Sequence, residues 1–159
     1  MLVFVAIPEA GLGEWARGGV LREATVFAAT SAFCSAFGVD DPSDEDAERT
    51  LLYIAGLAGL LRDGVRTVAV AQAPSARPLP GPDEPLGAAG VPDLRYAAVT
   101  ALFTDDPADP DASAALARAR DALAGLGLAD AWDHPAHEAL LAEADLLWHG
   151  PAEWDALGD

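Results

Sequence analysis

Leu51-Leu52-Tyr53-Ile54-Ala55-Gly56-Leu57-Ala58-Gly59-Leu60-Leu61-Arg62-Asp63-Gly64, followed at once by Arg66-Thr67-Val68-Ala69-Val70-Ala71-Gln72-Ala73, reads as a helix running straight into a strand. The first run is too apolar for a half-exposed helix, so it is expected to be covered on most of its circumference. Gly56 and Gly59 remove side chains and allow close approach to a sheet or to another helix. Gly64 suits the left-handed position that ends a helix. Upstream, Ser43-Asp44-Glu45-Asp46 resembles a capping box, with a hydroxyl at the cap and a carboxylate three residues later. The acidic residues there also suit the positive end of the helix dipole.

Working toward the N-terminus, Leu2 to Ile7 is a continuous apolar run stopped by Pro8, the pattern of a buried strand. Glu9 to Gly18 reads as a short helix carrying Leu12, Trp15 and Ala16. Ala24 to Thr30 reads as a second strand, and Ser31 to Phe37 as a short helix capped by Thr30. Toward the C-terminus, Pro74 to Asp93 holds six of the 12 prolines and is expected to be a surface loop within one domain. Leu94 to Thr104 reads as one strand. Asp109 caps a helix with Pro110 at its first position, running to about Leu126. Its apolar face is Ala112, Leu116, Ala119, Leu123 and Leu126. A short helix to about Ala144, a strand at Leu146–His149 and a helical turn over Pro151–Leu157 close the chain.

These elements predict an α+β sandwich in a single domain spanning residues 1–159. The expected sheet is mixed, with about five strands. From Ala24 onward the order is the ferredoxin-like β-α-β-β-α-β, with the helices mainly on one face.

Nine basic residues against 26 acidic ones leave a net charge of −17, and the chain has no lysine. Such a globule repels phosphate backbones and anionic membrane surfaces, so neither nucleic acid nor membrane is an expected partner. The charge keeps it a monomer or small homo-oligomer, or it meets a basic or apolar protein surface. The single cysteine, Cys34, excludes an internal disulfide. The longest apolar block, Leu51–Leu61, is 11 residues, against about 20 for a membrane span. The opening run lacks the basic segment of a signal peptide, so the expected location is cytoplasmic.

Catalytic motifs are mostly excluded. Without lysine there is neither a Walker loop nor a Schiff base. Gly11-Leu12-Gly13 is not followed by the third glycine of a dinucleotide loop, and no GxSxG elbow occurs. The remaining chemistry-bearing residues gather in the tail: Trp132, His134, His137, Glu138, Trp148, His149 and Trp154. His134 and His137 stand three apart, a chelating interval on a helix. Pro135 between them favours instead a helix start capped by Asp133 or His134, so no metal or cofactor is assigned. Three of the four tryptophans fall within 23 residues, and tryptophan is a favoured interface anchor. The acidic runs Asp40–Asp46 and Asp105–Asp111 lack the spacing of a calcium loop and read as helix caps.

The chain resembles an uncharacterised family of small acidic proteins from GC-rich actinobacteria. The residues that carry the resemblance are Val3-Phe4-Val5 with Pro8, Phe27-Ala28-Ala29-Thr30, the helix start from Ser43 to Glu48, Thr67-Val68-Ala69-Val70-Ala71, and Leu146-Leu147-Trp148-His149 followed by Glu153. It departs from the family in having His149 after Trp148 where members carry tyrosine, and Ala152 before Glu153 where they carry glutamine. The resemblance covers most of the chain and implies no activity.

Three readings of function follow. The first is a non-enzymatic binding or regulatory module using an acidic surface and a Trp-rich tail. The second is a small hydrolase-like or metal-dependent enzyme, with His137, Glu138 or His149 working under a lid formed by Pro74–Asp93. The third is a small-molecule binder with that proline-rich segment as a flap.

Overall fold

In a computed structural model the chain is described over residues 1–157. Within them one seven-stranded sheet carries six α-helices. In chain order the elements are β1 (Leu2–Ala6), α1 (Glu9–Gly18), β2 (Val20–Ala28), α2 (Ser31–Phe37), α3 (Glu45–Asp63), β3 (Thr67–Gln72), β4 (Arg77–Pro78), β5 (Ala88–Arg95), β6 (Val99–Thr104), α4 (Pro110–Leu123), α5 (Leu128–Trp132), α6 (Pro135–Glu143) and β7 (Leu147–His149). Short 3₁₀ turns lie at Glu84–Leu86, Tyr96–Ala98 and Pro151–Ala156.

The α+β class holds, but the sheet has seven strands in the order β4-β5-β2-β1-β3-β6-β7 and every pair is antiparallel. The expected mixed, five-stranded sheet is corrected accordingly. The ferredoxin-like portion is corrected too. That arrangement would put β2 beside β6 and β7, whereas β1 separates β2 from β3 and β7 lies beyond β6. The cause is β1 itself, which pairs with β3 from Leu2↔Gln72 to Ala6↔Val68 and with β2 on its other side.

Alternation along β1 divides the interior. Phe4 faces the larger helical layer, where Leu51, Ile54, Leu57 and Leu60 of α3 meet Val68, Val70 and Phe27. Val3 and Val5 face the other way, onto Leu12 and Trp15 of α1. The long helices α3 and α4 thus share one face, as expected, and α1 covers the other. Gly59 is required by the close approach of α3, because a Cβ there would lie 2.9 Å from the Val65 carbonyl oxygen.

Two local expectations change. The proline-dense segment is not a loop throughout, since it contributes β4 and β5. Its prolines fall where a strand tolerates them: Pro78 on an edge strand and Pro92 opposite Glu23, whose φ of 49° marks an irregularity in β2. The run Leu94–Thr104 is broken between β5 and β6, because Tyr96 is held from two distant places. Its amide donates to the Gly19 carbonyl at 2.8 Å and its hydroxyl to the Pro151 carbonyl at 2.7 Å.

That break curves the sheet. Three strands lie between β5 and β6, yet only Tyr96–Ala98 joins them. In a flat sheet the two would stand about 19 Å apart, four spacings of about 4.8 Å. Four Cα–Cα steps span at most about 15 Å. The sheet must therefore curl around its α1 side, where Trp15 donates its indole N–H to the Leu94 carbonyl at 2.9 Å.

Capping agrees with the sequence at Thr30, which accepts from the Phe33 amide, and at Asp109, which accepts from Asp111 and Ala112. At α3 the cap is Asp44 rather than Ser43, whose hydroxyl donates to Asp41 at 2.8 Å.

Candidate functional site

The chain enters β7 at a fixed point because of one buried ion pair. Arg66 follows the helix-ending Gly64 and sits at the mouth of β3, its side chain 1% exposed. Its Nε donates to Asp105 Oδ1 at 3.0 Å, and its Nη2 donates to the Ala144 carbonyl at 3.1 Å. The Arg66 backbone amide donates to the other Asp105 oxygen at 3.2 Å. The start of β3, the end of β6 and the end of α6 are tied together there.

Beyond this tie β7 pairs with β6 as Leu147↔Thr104, Trp148↔Phe103 and His149↔Leu102. Residues directly opposite share a face. Leu147, His149 and Thr104 therefore look one way and Trp148 the other. The first side opens on a cleft of about 450 Å³, lined by Glu9, Val65, Asp105, Asp106, Leu147 and His149 among others. Thr104 Oγ1 and His149 Nε2 lie 2.8 Å apart in its wall. On the opposite side Trp148 is 62% exposed, the most exposed of the large apolar side chains, while Val65 and Leu147 are open to solvent on the cleft side.

The tail residues do not converge. Trp132 is half-buried between Phe37 and His137, with ring centroids 6.1 and 5.1 Å away. His134 caps α6, its Nδ1 accepting from the Ala136 amide at 3.0 Å. His137 is buried, its Nδ1 is 3.4 Å from the Trp132 carbonyl, and its Nε2 has no hydrogen-bond partner among the described residues. Desolvation holds the His137 pKa below the ordinary 6.5. The positive charge of Arg66 adds to that, while the Trp132 carbonyl opposes it. Glu138 is exposed on α6. Trp154 is half-buried on the α1 side, with the Arg17 guanidinium 5.4 Å from its ring centroid. Of the seven candidates only His149 lines the cleft, with Trp148 beside it in β7 on the opposite face. A Trp-rich tail does not form as a unit, because each indole belongs to a different layer.

The proline-rich segment covers none of this, since β4 and β5 lie at the opposite edge of the sheet. The lid expectation is corrected on that ground, whereas a separate pocket is lined by Ser75, Arg77, Leu79 and Pro92 of the segment itself. Glu9, Val65, Arg66, Thr104 and Asp105 were missed as site residues. The usable signal was Thr104-Asp105-Asp106 at a strand end, which reads as helix capping although Asp109 alone caps α4. Among the described residues no group of three His, Cys, Asp or Glu side chains is placed to hold a metal ion. No helix there is long and apolar enough to cross a membrane.

No curated protein and no solved structure matches the chain. Residues 1–157 match a family of unknown function, DUF6912, in keeping with the resemblance to an uncharacterised family. The chain therefore belongs to the DUF6912 family.

Proposed function

We propose that this protein is a non-enzymatic binding module that docks a basic polypeptide at the β7 end of its sheet. The observation that carries this reading is Trp148, 62% exposed on the last strand of the sheet. An indole in water is a latent contact of large area and low entropic cost, the usual character of an interface anchor. The net charge of −17 and the cleft residues Glu9 and Asp106 select the partner by sign. The same charge disfavours nucleic acid and a second acidic copy. Thr104 and His149 have the spacing of a nucleophile and a base, but the Asp105 carboxylate that could complete the set is committed to Arg66, so the hydrolytic reading is not preferred.

The test is a titration with an arginine-rich synthetic peptide and with its glutamate-substituted counterpart, followed by fluorescence anisotropy of a label on the peptide. The arginine peptide binds, the glutamate peptide does not, and Trp148→Ala weakens binding about tenfold or more. Equal affinity of wild type and Trp148→Ala overturns the reading.

A further inference from the structure

The sheet has two edges, and they differ in what they offer a partner. β4 is two residues, Arg77 and Pro78, in a stretch that also carries Pro74, Pro80 and Pro82. Proline gives no N–H and blocks pairing, so that edge is blunted. β7, Leu147-Trp148-His149, carries no proline and no permanently charged residue, and two of its three side chains are exposed. It lacks the usual devices against strand pairing except its shortness.

We infer that the β7 edge is extended by one extended, arginine-bearing segment of a partner protein. Its alternate side chains enter the acid-lined cleft beside Leu147 and His149, while those between them lie against Trp148. The inference rests on the binding-module reading above and adds the mode of recognition to it. Backbone bonds to an edge give affinity, and the pockets that alternate side chains meet give specificity. The two faces of β7 match that division. On one side Glu9 and Asp106 stand in the cleft with Asp105, which Arg66 already neutralises. A guanidinium arriving there finds carboxylates suited to it. On the other side a cation or an apolar side chain finds the face of an exposed indole. A second copy of this chain is the poorer occupant, because it would bring −17 against −17.

The experiment uses the full chain and an eight-residue synthetic peptide of alternating arginine and valine. Two further versions carry backbone N-methyl groups at the arginines or at the valines. Methylation keeps every charge and side chain but removes the N–H donors along one peptide edge. The expected result is that one methylated version loses about tenfold or more in affinity while the other binds like the parent. Glu9→Gln with Asp106→Asn weakens the parent peptide and flattens its salt dependence. Trp148→Ala weakens both the parent peptide and the methylated version that binds like it. Circular dichroism confirms that the variants fold. If both methylated peptides bind as tightly as the parent, strand addition is overturned while the basic-partner reading stands. If no arginine peptide binds at low salt, both are overturned. A dimer seen by analytical ultracentrifugation without peptide, and lost in Trp148→Ala, overturns the choice of occupant.

Discussion

Arg66 and His137 are both buried polar side chains close to α6, and they are answered differently. Arg66 has Asp105 and a carbonyl around it, so removing Asp105 strands a guanidinium whose side chain is 1% exposed. Asp105→Ala is expected to cost about 3 kcal/mol or more in urea unfolding, the usual cost of breaking a buried pair. Replacing both partners with apolar residues, as Arg66→Met with Asp105→Leu, recovers most of that loss. His137 instead has one weak partner and one bare nitrogen. Its lowered pKa means that the folded state binds fewer protons than the unfolded state just below pH 6.5. Its contribution is fully present above pH 6.5 and is lost as pH falls toward its folded value. The urea midpoint of the wild type is expected to drop from pH 7.5 to pH 5 more steeply than that of His137→Leu. Equal slopes would remove His137 from the acid response. Neither role was legible in the sequence. A lone arginine at a strand mouth carries no signature, and a histidine in the first turn of a helix gives no sign that Trp132 packs against it.

The helix α3 shows how far local pattern reaches. Its apolar run, its acidic start and its glycine stop all follow from nearest neighbours along the chain, and the structure keeps them. Gly59 separates propensity from packing. In an open helix Gly→Ala adds about 1 kcal/mol of stability. Here the added methyl meets the Val65 carbonyl at 2.9 Å, so Gly59→Ala is expected to destabilise by about 1–3 kcal/mol. Thermal unfolding that rises instead would show that α3 can move off the sheet. β5 and β6 mark the limit of such reading. Leu94–Thr104 is apolar enough to be one strand, and what divides it is Gly19 and Pro151, more than fifty residues away in either direction. The proline count of Pro74–Asp93 suggested a loop for a good physical reason. It failed because Pro78 and Pro92 occupy the few strand positions that need no N–H.

Across the fold, the α+β class and the preference of the long helices for one face were readable, because both follow from element order and apolar patterning. Strand order was not, since the apolar run of β1 does not name which two strands flank it. The site was readable only at Trp148 and His149, because the cleft is assembled from α1, β3, β6 and β7, which approach one another through the sheet. The net charge acts on all of this together. Self-repulsion at −17 opposes the compact state and is screened by salt. The melting temperature is therefore expected to rise by several degrees between 20 mM and 500 mM sodium chloride at pH 7.5. An unchanged value would mean that the acids are spaced widely enough to be indifferent to one another.

The link Tyr96–Ala98 constrains how homologous chains can vary in length. A curled sheet and a link this short imply each other, so extra residues at that point would let the two sheet margins drift apart and leave Trp15 without its seat on Leu94. Insertions and deletions should therefore gather in exposed turns, such as Asp40–Pro42 and Pro80–Pro82, and should spare this one.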